Sequence, residues 1–280
     1  MSASPACVSP AEPTKEKFSA RFFKTKKRPV EEAPKEQGNL VRRLIDELGP
    51  AVDEKLVKGG EEGLTEGNAT RYLRSEEWDL EKAVVRLRKH ADWRIAYAPE
   101  GRIGNSGLEE ELADEKVFLQ PPDKSGRSLI VVLAKNHTYS NDRAQSTTAR
   151  LAAYALDLAI AFGDPVKNPE GKIVAIFDLG GIKYKNLDTG ACKALFGILE
   201  KHYPERLEAV WLYNAPTIFW TVWKVLEPFL DKVTKEKIKF VYGTNAIKQF
   251  KQVCDPHTLP PELGGTGALK RVQDCWVKIS

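Results

Sequence analysis

The stretch KIVAIFDL, residues 172–179, holds five successive apolar residues between a lysine and an aspartate. It lacks the in-out alternation of a strand with one wet face, so it reads as a strand covered on both sides. SLIVVLA (128–134) reads the same way, and LEAVWLY (207–213) and IKFVYG (238–243) supply two more strands. Helical periods fill the gaps, in TTARLAAYALDLAIAF (147–162) and DTGACKALFGILEKHY (188–203). VFLQ (117–120) and SLIVVLA flank the turn sequence PPDKSGR (121–127) and suggest a hairpin. A hairpin followed by alternating helix and strand predicts an α/β fold with a mixed, mostly parallel sheet. AIKQFKQV (246–253) reads as a short helix and LPPELGG (259–265) as a rigid loop.

Upstream, residues 39–98 are helical in pattern. NLVRRLIDELGP ends at Gly49-Pro50, the loop KGGEEG follows, and DLEKAVVRLRKHADWRIAY is the best helix. Asp79 caps that helix, and Leu80, Val84, Leu87, Ala91 and Ile95 form its seam. A Gly-rich joint (Gly101, Gly104, Gly107) separates this helical module from the strands. Residues 1–37 are Pro-, Lys- and Glu-rich and read as a disordered tail. Within it, Lys15 to Arg28 carries seven basic residues against one glutamate, with Phe18, Phe22 and Phe23 interleaved. Such a segment suits either solvent or a weak contact with anionic membrane.

The chain has 280 residues, 43 basic and 39 acidic, for a net charge of +4. That excess is too small to argue for nucleic acid. No uncharged run approaches a membrane span, and no early apolar run resembles a signal peptide. Four scattered cysteines without CxxC spacing suit a reducing cytosol. His90, His137, His202 and His257 show no metal-ligand spacing. Nucleotide-loop, zinc-protease and nucleophile-elbow motifs are missing, and ELGGTG (262–267) is an incomplete dinucleotide motif after a loop. A catalytic function is not expected.

Residues 214–233, NAPTIFWTVWKVLEPFLDKV, are the anomaly. Asn214 is a plausible N-cap, Pro216 suits a first turn, and Pro228 stops or kinks the helix. Thr217, Thr221, Lys224 and Glu227 share one stripe; Ile218, Phe219, Trp220, Val222, Trp223, Val225 and Leu226 fill the rest of the circumference. That apolar arc is about twice the ~100° of a surface helix, yet a helix of ~18 Å cannot span a bilayer core of ~30 Å. Two readings fit: a central core helix, or a lid packing on protein with one side and meeting lipid with the other. If helices 147–162 and 188–203 share one sheet face, the lid is the available cover for the other, with an apolar space beneath it.

TRYLRSEEWDLEKAVVRLRKHADWR (70–94), IVAIFDLGGI (173–182), HYPERLEAVWLYNAPTIFWTVWKVLEPFLDKVTKEKI (202–238) and LPPELGG together resemble the CRAL-TRIO lipid-binding family, most closely its fungal- and plant-type phosphatidylinositol transfer proteins. The likeness runs in order from about residue 40 to 266. It implies a helical N-terminal module (38–100), a lipid-binding domain (101–266) and a C-terminal extension (267–280). It also implies a gating helix over a deep apolar cavity, opening at a membrane and closing over one lipid. The gate would carry Ile218, Phe219, Trp220, Trp223, Leu226 and Phe229. The headgroup would meet Glu205 and Arg206 of the Tyr-Pro-Glu-Arg motif, Thr234 and Lys237 after the gate, and Asp123 in its turn. Lys237 suits a phosphodiester, while Thr234 and Glu205 suit inositol hydroxyls. The same likeness implies a cytoplasmic monomer touching membranes transiently, with bound phosphatidylinositol as its ligand, no other cofactor and no metal.

Two departures from the family pattern bear on the lipid. Glu76 and Glu77 stand where the inositol binders carry basic residues, which weakens a phosphate contact. Lys183 and Lys185 stand where choline binders carry hydroxyl residues, which disfavours phosphatidylcholine. The lost hydroxyls leave open another apolar ligand (a sterol, tocopherol, retinoid or haem-like molecule). A regulatory adaptor that uses lipid only as a signal is a further alternative.

Overall fold

The structure, a computed structural model, describes residues 35–139, 145–230 and 232–275. The expected basic tail up to residue 34, the end of the C-terminal extension and the Phe229 side chain lie outside the described residues.

Three helices form the N-terminal module: α1 (Lys35–Lys58), α2 (Glu66–Ser75) and α3 (Leu80–Tyr97). Gly49, at φ 67°, breaks α1 where the sequence places its end, but the chain resumes as helix after Pro50. Asp79 accepts the Lys82 N–H and caps α3. Leu44, Leu56, Leu73 and Leu87 are fully buried between the helices.

After the short α4 (Glu109–Ala113) come five strands: β1 (Val117–Gln120), β2 (Ser128–Leu133), β3 (Ile173–Asp178), β4 (Leu207–Tyr213) and β5 (Ile238–Val241). They lie in sequence order, β1 antiparallel to β2 and the rest parallel. The connecting helices are α5 (Gln145–Phe162), α6 (Thr189–His202), and α7 (Phe219–Leu226) with α8 (Lys232–Lys237). Sequential parallel strands joined by right-handed crossovers must carry every crossover on one face. The helix read as a lid therefore shares its face with α5 and α6, and does not cover the opposite face as expected from sequence. Phe219 packs in the same apolar cluster as Leu151, Ile198 and Leu212.

The opposite face is closed by α9 (Gly243–Val253) and the segment after it. Ala246, Phe250 and Cys254 recur every fourth residue and are fully buried, as is Leu259. The Phe250 ring sits 5.3 Å from that of Trp211 and 5.5 Å from that of Tyr213. Residues 267–275 run back along the sheet edge, where Leu119 N–H donates to the Lys270 carbonyl at 2.9 Å.

The helical module docks on α5 and α6 through polar groups. Arg94, nearly fully buried, donates to the Gly59 carbonyl at 2.6 Å and to Asp157 at 2.6 Å. Tyr203 completes the link, its hydroxyl 2.8 Å from Asp157. Trp93 stacks on His202 at 3.8 Å, and the Nδ1 atoms of His90 and His202 are 3.3 Å apart, room for one shared proton. Burial first, then His90, Lys201 and Arg86, press His202 down to about 3. Burial raises the Glu61 carboxyl, but His90, Arg94 and Arg71 together outweigh it and hold the group at about 2. Both shifts act in one direction, because the unfolded chain takes up protons that the folded chain refuses. Stability should be intact above pH 6.5, fall below it through His202, and fall further below pH 4.5 through Glu61. Thermal unfolding across this range checks it: His202→Gln is expected to flatten the decline between 6.5 and 4.5 and leave the steeper acid limb in place.

Candidate functional site

The two sheet faces are packed differently. On the α9 face Leu129, Val131, Val174, Ile176, Trp211 and Val241 are all buried. On the face beneath α5, α6 and α7, one row in register across the sheet reads Val132, Phe177, Leu212, Phe240. Only Leu212 of these is buried, although helices lie over the row. Leu195, Phe196 and Leu199 of α6 are likewise half-buried. Protein interiors are close-packed, so these half-buried apolar side chains make this row more loosely covered than the rows of the α9 face.

Over the Phe240 end of this row lies α7. It is shorter than the expected 216–230: a tight turn from Pro216 leads into it, and residues 227–229 continue as 3₁₀ helix. Asn214 is not its N-cap; at φ 52° its side chain accepts the Gly243 N–H and joins the ends of β4 and β5. Phe219, Val222 and Leu226 form the buried stripe, Ile218 and Trp223 are half-buried, and Trp220 and Val225 are exposed at 39% and 40%. A helix with one buried and one wet side is not a central core helix. Trp220 stacks on Phe240 at 4.7 Å, and Trp223 meets the same ring edge-on at 5.1 Å. Phe240 is thus a contact between the sheet and α7.

At the other end of the strands, where β3, β4 and β5 begin, charged groups converge. Glu205 sits at φ 57°, a left-handed position that costs a glutamate of order 1–3 kcal/mol and that favours functional sites. Its carboxylate lies 3.9 Å from Lys237 and 3.6 Å from Lys172, and Lys172 also reaches Glu170 at 3.3 Å. All three side chains of the Glu205–Lys172–Lys237 group are partly open to solvent. Thr234 is half-buried on α8, one turn before Lys237. Arg206 donates to the Glu170 carbonyl at 2.6 Å, and burial, then Arg71, press it down to about 10. Arg71 of α2, itself buried, donates to the Pro204 carbonyl at 3.1 Å and so braces the turn that presents Glu205. Neither Lys172 nor Arg71 was singled out by sequence; Lys172 reads only as the start of a strand.

Asp123 stands apart. Its carboxylate accepts the Ser125 and Arg127 N–H groups at 2.9 Å each and pairs with the Arg127 guanidinium at 2.7 Å. Those bonds occupy it at its own turn. Glu76 pairs with Arg86 at 2.5 Å, and Lys183 and Lys185 are exposed on the loop after β3. Glu111, Asp114 and His137 offer ligand atoms within 4.8 Å of one another. The ammonium of Lys116 already pairs with Glu111 and stands 3.0 Å from both Asp114 and His137, supplying the positive charge a metal would bring. Burial, then Lys116, lower His137. No helix among the described residues is long and apolar enough to cross a membrane.

A family model for the CRAL/TRIO domain matches residues 112–265, more than half of the chain, and the protein belongs to that family. Among relatives, the phosphatidylinositol transfer protein CSR1 of Eremothecium gossypii is 27% identical over 206 residues, covering 70% of this chain and 46% of its own. The SEC14 cytosolic factor of Yarrowia lipolytica is 26% identical over 246 residues, covering 83% and 50%. The chain thus spans about half the length of these relatives. The crystal structure of Sfh5 superposes with a TM-score of 0.63 at 16% identity, covering 89% of this chain and 93% of that one, a likeness of fold.

The two-faced packing yields a direct expectation. Phe250→Ala, in the tight layer, should cost about 3–5 kcal/mol. Phe177→Ala, facing the loose layer, should cost less than about half of that. Denaturant unfolding of both variants measures the difference.

Proposed function

We propose that the protein is a non-enzymatic carrier that takes up one phosphatidylinositol beneath α7 and exchanges or presents it at membranes. The observation that carries this reading is the half-buried apolar row Val132–Phe177–Phe240 under the covering helices, a floor suited to acyl chains. Burial of acyl chains yields ~0.8 kcal/mol per CH₂, enough for a lipid to stay bound in water. Two relatives, one of them a phosphatidylinositol transfer protein by name, support the choice of ligand class.

Lys237 and Lys172 meet the phosphodiester, while Glu205 and Thr234 take inositol hydroxyls; Arg206 and Arg71 hold the Glu205 turn in place. Asp123 shapes its own turn and leaves the headgroup to the others. The gate is α7 with its flanks: Ile218, Phe219, Trp223 and Leu226 face protein or lipid tails, Phe229 follows at the 3₁₀ end, and Trp220 enters the membrane interface, where amphipathic rings are favoured. The carrier acts as a cytoplasmic monomer in transient contact with membranes. A sterol, tocopherol, retinoid or haem-like ligand is the alternative reading, and Lys183 and Lys185, which motivate it, are exposed on the loop after β3.

Transfer of labelled phosphatidylinositol and of a second phospholipid between vesicles tests the assignment. Lys237→Ala removes a charge-assisted contact of about 1.5–3 kcal/mol, a roughly ten- to hundredfold loss for phosphatidylinositol alone. Trp220→Asp should abolish transfer of both lipids while the fold survives, because its ring is partly exposed. Equal loss of both lipids in Lys237→Ala would instead assign that residue to folding or gating.

A further inference from the structure

Tyr139, Tyr184, Trp220 and Tyr242 are the exposed aromatic residues among those whose side chains are described, and they share one edge of the molecule. Each follows the carboxyl end of a different parallel strand: Tyr139 after β2, Tyr184 after β3, Trp220 after β4 and Tyr242 after β5. Hydrogen bonds stitch these loops side by side. Asn186 donates to the carbonyls of Lys135 at 3.0 Å and His137 at 2.8 Å, Leu179 N–H to Tyr213 at 2.9 Å, and Asn214 N–H to Val241 at 3.0 Å. Tyr184, 82% exposed, is the most protruding of the four.

Charge on the β2 and β3 side of this edge is of one dominant sign. Lys135, Lys183 and Lys185 are all exposed, and Lys183 and Lys185 flank Tyr184 directly. The nearby acids are mostly committed elsewhere. Asp178 accepts the Gly180 N–H at 2.9 Å, and Asp188 caps α6 at 2.8 Å and pairs with His137 at 3.3 Å. Asp114 accepts the Thr138 N–H at 3.4 Å and pairs with Lys116 at 3.0 Å, Glu115 pairs with Arg271 at 3.0 Å, and exposed Glu262 acts on this edge through Asp178.

Aromatic rings with a polar tip, set among solvated lysines, suit the headgroup region of an anionic bilayer, where rings insert and lysines meet phosphate. We propose that this edge is the membrane-docking surface and that its Lys183-Tyr184-Lys185 loop selects anionic lipid, placing the first turn of α7 at the bilayer. The inference rests on the carrier reading for its purpose but not for its chemistry. A loop that grips the membrane beside the lid brings the exposed ring of Trp220 to the interface, so docking and opening share one surface.

Cosedimentation with phosphatidylcholine vesicles, with and without phosphatidylserine, tests it. The wild-type protein should favour the phosphatidylserine vesicles, and added salt should weaken that preference. Lys183→Glu with Lys185→Glu should lower binding to them by at least ~30-fold, from the loss of two lysine contacts alone. Tyr184→Ala should weaken binding to both vesicle types. Thermal unfolding of each variant, expected unchanged for such exposed residues, excludes a folding defect. Unaltered binding by the double variant, or equal binding of wild type to both vesicles, would overturn the proposal. Native mass spectrometry of the same samples separates it from the carrier reading: an empty protein whose anionic binding still depends on Lys183 and Lys185 retains the docking surface and loses the carrier.

Discussion

Strand order governs this molecule. Because β2 to β5 are parallel and sequential, right-handed crossovers force α5, α6 and α7 onto one face. Three crossovers compete for that face, and α7 with α8 lies over its far end. On that face the row Ile130, Ala175, Val210 is buried, whereas in the next row Phe177 and Phe240 stay half-buried. A bound apolar ligand would cover these half-buried side chains, which links the topology to the proposed cargo.

The helical module meets the lipid-binding domain through the Trp93 and Tyr97 rings and through a few buried polar contacts. Arg94 joins α3 to the Gly59 carbonyl and to Asp157, and Arg71 joins α2 to the Pro204 carbonyl. Removing one partner of a buried pair of the Arg94–Asp157 kind typically costs 3–5 kcal/mol, because the other charge is left without compensation. The consequence of this docking falls on Glu205. A glutamate in the left-handed region needs its turn fixed from outside, and Arg71 and Arg206 fix it from two sides, through carbonyls of residues 204 and 170.

Much of this was legible in the sequence. The unbroken apolar runs of β2 and β3 announced strands covered on both faces, and Asp79 announced the start of α3. The placement of α7 was not legible, because strand order cannot be read from the order of elements along the chain. For the same reason α9 was seen as a short helix, while the stripe Ala246, Phe250 and Cys254 closing the second face went unread. Glu205 and Lys237 are 32 positions apart, and only a family resemblance could suggest them as partners; the structure brings them to 3.9 Å. Lys172 carried no signal, since a lysine before an apolar run is an ordinary strand flank. Asn214 misled because an asparagine ahead of a helix has two uses, capping that helix or tolerating positive φ.

The layer between the sheet and α6–α7 is the proposed lipid site. Native mass spectrometry of the freshly purified protein, with organic extraction of what it carries, tests it most directly. The account expects one bound phospholipid per chain with an inositol headgroup. Protein that emerges empty, and stays empty after incubation with phosphatidylinositol vesicles, would contradict it.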